Sequence, residues 1–145
     1  MLAYPYLMFN GDCLEAAKHY AQVLNGRVFN VTRASTAPVD CMGPNGKDWV
    51  MNLSLKFGDT LLMASDCPEG MYESPRGFRV CLAPDSLVEF ERIHAALSDG
   101  ARSIEMPANE TFWADRFAMF TDRYGTPWML NFLGSKAATT EVPAV

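Results

Sequence analysis

Between Trp49 and Phe57 the chain alternates, with Asn52, Ser54 and Lys56 on one side and Met51, Leu53, Leu55 and Phe57 on the other. A period of two predicts a strand, and the Gly58-Asp59 turn that follows leads into a second strand, Thr60 to Ser65, as a hairpin. Ahead of them, Tyr4 to Phe9 is an apolar, aromatic run of strand length that stops at Asn10-Gly11. From Asp12, a predicted cap, Leu14, Ala17, Tyr20, Ala21 and Leu24 recur at helical spacing until Asn25-Gly26 provides a stop. Arg27 to Arg33 reads as a strand, and Ala34 to Asp48, with Pro38, Gly43, Pro44 and Gly46, reads as the longest loop.

The second half repeats this plan. Phe78 to Ala83 is a predicted strand, Asp85 or Ser86 caps a helix carrying Leu87, Phe90, Ile93, His94 and Leu97, and Asp99-Gly100 closes it. Arg102 to Met106 follows as a strand, and Arg116 to Thr121 and Pro127 to Leu133 form a hairpin. A shift of 74 residues places Tyr4 on Phe78, Glu15 on Glu89 and Gly26 on Gly100, and a shift of 67 places Gly58 on Gly125. The pattern predicts an α+β domain over residues 1–134 made of two βαβββ modules, about 1–66 and about 77–134, with 135–145 as a flexible tail.

Composition narrows the partners. The 145 residues carry a net charge of -5 without a Lys/Arg cluster, which disfavours nucleic acid and anionic membranes. No apolar run approaches the roughly 20 residues of a membrane helix, and the first residues lack the basic region of a signal peptide. Cys13, Cys41, Cys67 and Cys81 are scattered with no CxxC pair, as expected of reduced thiols in the cytoplasm.

Three segments, YLMFNGDCLEAAKHYAQVLNG from Tyr6, GDTLLMASD from Gly58 and ETFWADRFAMFTDRYGTPWMLNF from Glu110, resemble the PhnB-like branch of the vicinal-oxygen-chelate superfamily, which includes glyoxalases, bleomycin-resistance proteins and dioxygenases. The most specific parts are Glu110 to Trp113 and the D-x-x-G-x-P-W at Asp122 to Trp128. The resemblance implies a mixed sheet curled around a cleft, often completed by a homodimer. Relatives are sometimes labelled demethylubiquinone methyltransferases, but no strand followed by a glycine-rich turn for a nucleotide-like cofactor is found, and no cofactor is expected.

Enzymes of the superfamily hold a divalent ion with His, Glu or Gln from the first and last strands of each module, and use it as a Lewis acid. The internal shifts place those positions at Tyr4, Leu62, Phe78 and Met129, a set unsuited to a hard ion, so no metal site is expected. A one-residue error would point to Pro5, Met63, Arg79 and Leu130, which are equally unsuited. Many PhnB-like relatives carry a histidine where this chain has Asn52, and His19 and His94 lie on the helices, read as structural or surface residues.

Strand alternation assigns Tyr4, Tyr6, Met8, Asn52, Ser54, Thr60, Leu62, Phe78, Val80, Met129 and Asn131 to the cleft. Of these, Tyr4, Tyr6, Asn52, Ser54, Phe78, Met129 and Asn131, joined by Phe112 and Trp113, are the candidate ligand contacts. Glu110 and Tyr4 are weak candidates for acid-base work, and Arg116 is expected to pair with Asp122. Three functions fit: metal-free binding of a small, partly aromatic molecule, a lyase, isomerase or dioxygenase, and a structural homodimer with a collapsed cleft.

Overall fold

Each half of the chain lays down the same five elements in the same order. The computed structural model describes residues 1–139. It contains β1 (Tyr6–Phe9), α1 (Cys13–Val23), β2 (Arg27–Arg33), β3 (Val50–Phe57) and β4 (Thr60–Asp66). The second set is β5 (Val80–Leu82), α2 (Leu87–Ser98), β6 (Ser103–Asn109), β7 (Arg116–Thr121) and β8 (Pro127–Phe132). The class is therefore α+β, a βαβββ module twice over, and the chain divides into one unit at Met1–Ser74 and another from Pro75 onward.

In the first module the strand order is β1-β4-β3-β2, with β1 parallel to β4 and the remaining pairs antiparallel. Helix α1 covers one face, burying Ala16, Ala17, Tyr20 and Val23 alongside Leu7, Phe9, Leu53, Leu55 and Leu62. Asp12 occupies the N-cap position but makes no capping bond from its side chain. The acceptor comes from β4 instead. Buried Asp66 accepts from the amides of Gly11 (2.8 Å) and Cys13 (3.0 Å) through Oδ1 and from Val50 (2.9 Å) through Oδ2. One carboxylate thus ties the start of α1 to the start of β3 and satisfies amides that the helix itself cannot.

The second module has the order β5-β8-β7-β6, again with its first and last strands parallel. Ser86 caps α2 by accepting from the Glu89 amide, and the Glu89 carboxylate accepts from the amide of Asp85, the residue before the cap. Phe90, Ile93 and Leu97 are buried on this helix, as are Leu82, Ala118, Phe120, Trp128 and Leu130 on the face it covers. Strand β6 runs past its expected end to Asn109. It lies at the sheet edge, where the missing N–H of Pro107 costs little.

The registers correct the shift that aligned the two hairpins. Phe57 pairs with Thr60 across a two-residue turn, whereas Thr121 pairs with Pro127 across five. Buried Asp122 holds the longer turn, accepting from the amides of Tyr124 (2.9 Å) and Thr126 (3.0 Å) and from Trp128 Nε1 (2.7 Å). Asp122 therefore does not pair with Arg116, which binds Glu91 at 2.7 Å. Matching glycine to glycine puts the following strand one residue out, and one residue turns a side chain to the opposite face.

The first residues of the expected tail at 135–145 are described. A 3-10 turn spans Gly134–Thr139, with the Ser135 amide and Oγ both donating to Asp115 at 2.7 Å. These bonds hold the Asp115 carboxyl below its ordinary range. Residues 140–145 lie outside the described residues.

Candidate functional site

The face of each sheet opposite its helix carries the candidate chemistry. In the first module Tyr6, Met8, Met63 and Ser65 project there with Asn52 and Ser54, following the pairings Tyr6 with Met63 and Met63 with Ser54. The Tyr6 hydroxyl donates to Asn52 Oδ1 at 3.2 Å, and Ser65 Oγ lies 3.6 Å from Met8 Sδ. Leu62, an expected lining residue, is buried on the helix-covered face with Leu55. Its place on the other face is taken by Met63. Tyr4 is exposed and precedes β1.

In the second module Cys81 pairs with Met129, Met129 with Met119, and Met119 with Met106, placing a row of sulfur-bearing residues across the sheet. Val80, expected on this face, lies opposite Trp128 on the helix-covered one, and Phe78 precedes the strand and is exposed. Arg79, one position from Val80, belongs to a network that the sequence pattern alone does not single out. Its guanidinium donates to the carbonyls of Phe120 and Trp128 at 3.3 Å and lies 3.2 Å from Glu105. Burial pushes the Glu105 carboxyl up, but hydrogen bonds from Thr121 and Arg79 outweigh it and hold it below the usual range. The signal that could have found Arg79 is the pairing register, which fixes side-chain facing only after the strands meet.

Asn131 on β8 stands opposite Phe117 on β7. Its Oδ1 is buried and has no hydrogen-bond partner among the described residues. Trp113 lies edge-on to Phe117 with centroids 5.1 Å apart, and Phe112 lies edge-on to Trp113 at 4.8 Å. Phe112 itself is 88% exposed. A chain of three aromatic rings thus leads from solvent to the partner strand of an unsatisfied amide oxygen. Glu110, at the start of this loop, is engaged by Lys136, which also donates to the Thr111 carbonyl.

The positions paired between first and last strands are Tyr6 with Met63 and Cys81 with Met129. Thioethers, a thiol and a phenol do not fit a hard divalent ion, which prefers imidazole and carboxylate oxygen. No group of three or more His, Cys, Asp or Glu side chains able to hold a metal ion occurs among the described residues. His94 lies parallel to Phe90 (6.0 Å) and edge-on to Phe120 (5.6 Å) on the helix side, and burial lowers its pKa. All four cysteines are free, with Cys13 and Cys67 buried and Cys81 exposed. No helix among the described residues is long and apolar enough to cross a membrane.

No family model matches the chain. Protein YjdN of Escherichia coli (strain K12) is 28% identical over 136 residues, covering 88% of this chain and 92% of that protein. The crystal structure of protein PA1353 from Pseudomonas aeruginosa superposes with a TM-score of 0.81 at 41% identity, over 91% of this chain and 97% of the other. The PhnB protein from Bacillus cereus gives 0.74 at 21% identity, over 91% and 99%. A glyoxylase/bleomycin resistance protein/dioxygenase domain from Frankia sp. EAN1pec gives 0.63 at 12%, over 91% and 96%, a likeness of fold.

Proposed function

We propose that this chain, which shares its fold with a PhnB protein and a glyoxylase/bleomycin resistance protein/dioxygenase domain, binds a small, partly aromatic molecule on the helix-free face of its second sheet, without a metal ion. The observation that carries this reading is the buried, unpartnered Oδ1 of Asn131, whose strand partner Phe117 meets the Trp113 ring. A buried carbonyl without a donor costs about 1–3 kcal/mol, which a bound N–H or O–H would recover. Phe112, Trp113 and Phe117, packed edge to face, supply apolar aromatic surface for an aromatic body. In the first module Tyr6, Asn52 and Ser54 offer further polar contacts, with Tyr4 and Phe78 as exposed aromatic flanks in their respective modules. The donor set described above supports binding over Lewis-acid chemistry. Free thiols fit a reducing compartment such as the cytoplasm, and a homodimer belongs to the same reading.

A thermal-shift screen of small phenols and aromatic amides, run with chelator and again with Ni, Zn, Mn or Fe salts, tests it. A compound that stabilises in chelator, and that also slows alkylation of Cys81 beside Met129, is the expected result. Stoichiometric metal in the purified protein, or stabilisation that requires the salt, would overturn it.

A further inference from the structure

At one end of the first sheet lies a recess of about 410 Å³ lined by Asn10, Trp49, Glu69, Gly70 and Tyr72. Its residues follow from topology. Asn10 succeeds β1, Trp49 precedes β3, and Glu69 to Tyr72 come just after β4. Because β3 is antiparallel to β4 and β1 is parallel to it, these three segments meet at the same end.

Two backbone positions set the walls. Gly11, at φ +95°, leaves room for the Trp49 indole, which a β-carbon would meet at 2.9 Å. Gly43, at φ +91°, does the same for Glu69, whose Oε2 a β-carbon would meet at 2.8 Å. Both conformations favour glycine, so the backbone can accept these two side chains closely. The Glu69 carboxylate is further oriented by Asn45, whose Nδ2 donates to Oε1 at 2.8 Å and whose amide donates to Oε2 at 3.3 Å. Tyr72 completes the lining, and its hydroxyl is buried with no hydrogen-bond partner among the described residues.

We infer that this recess is a binding site for a small primary alkylammonium ion. Trp49 and Tyr72 line the recess with aromatic surface that favours a cation, an oriented carboxylate neutralises it, and the Tyr72 hydroxyl, which lacks a partner among the described residues, is a further acceptor for its N–H bonds. An alkyl stem covers the indole. A carboxylate or phosphate ligand is disfavoured by Glu69, and a neutral alcohol would leave the charge contribution unused. The volume falls within the range of small-molecule pockets.

The test is titration of the intact protein with n-butylammonium chloride and, in parallel, n-butanol, read by the indole N–H resonance of Trp49 and assigned through Trp49→Phe. Saturable movement with the amine and none with the alcohol is expected. Glu69→Gln should weaken the amine by roughly threefold or more, because one exposed charge contact is lost. Tyr72→Phe, which keeps the ring, should weaken it as well, while Asp59→Asn, in the turn at the opposite end of β3 and β4, should leave it unchanged. Equal responses to amine and alcohol, no saturable response, or an unaltered affinity in both Glu69→Gln and Tyr72→Phe would overturn the inference. So would movement of the Trp113 resonance instead of Trp49, which assigns the amine to the second sheet. Because the two sites have different reporters, failure here leaves the Asn131 reading intact.

Discussion

Replacing Asn131 by leucine should make the unliganded protein more stable and unable to bind. The native amide has a buried Oδ1 without a donor, next to Phe117 across the strand pair. Leucine is close in volume and removes the unsatisfied oxygen. The polar group costs about 1–3 kcal/mol, and imperfect repacking takes back part of that, so a net gain of about 1–2 kcal/mol is expected. For a chain of this length that corresponds to a rise in Tm of about 3–6 °C. Urea unfolding gives the same quantity as a higher midpoint at unchanged slope, and the unchanged slope shows that the gain is in the folded state's stability. The variant should also lose the thermal shift given by an aromatic ligand to the wild type. A Tm that stays level or falls would mean the oxygen is satisfied in solution. A ligand response that survives in the leucine variant would remove Asn131 as the anchor even if stability rises.

Other outcomes follow from the same structure. Asp66→Ala removes the acceptor of the Gly11, Cys13 and Val50 amides and should destabilise by about 3–5 kcal/mol in denaturant unfolding. A loss under about 1 kcal/mol would show that water replaces the carboxylate at little cost. His94 has a pKa lowered by burial, so the unfolded chain takes up its proton first as pH falls. Its contribution is intact above the ordinary value of about 6.5 and declines as pH drops below it, and His94→Gln should flatten that decline in a series of melting curves. A maleimide should label exposed Cys81 in the native protein while Cys13 reacts only after unfolding, since burial and the nearby Asp66 push the Cys13 thiol far up. Peptide mapping that found Cys13 modified at native pH would contradict the burial.

The order of elements and the class of fold were legible in the chain because they rest on local periodicity. The spans of β2 and β7 coincide with their predicted ones, and the period-two run before Gly58 became β3. The identity of the cap on α1 was not legible, since Asp66 reaches Gly11 and Cys13 from a strand more than fifty residues away. Nor was the facing of β4 and β5. The sequence determined that two modules follow one another in the same element order, with apolar and aromatic strands. Tertiary structure decided that Leu62 and Val80 turn toward a helix and Met63 and Cys81 away from it, that Arg79 reaches Glu105, and that Asn131 is left without a donor. The physical reason is that side-chain facing inverts with every residue of register, and register is set by hairpin turns and by bonds between distant strands, which local pattern does not encode.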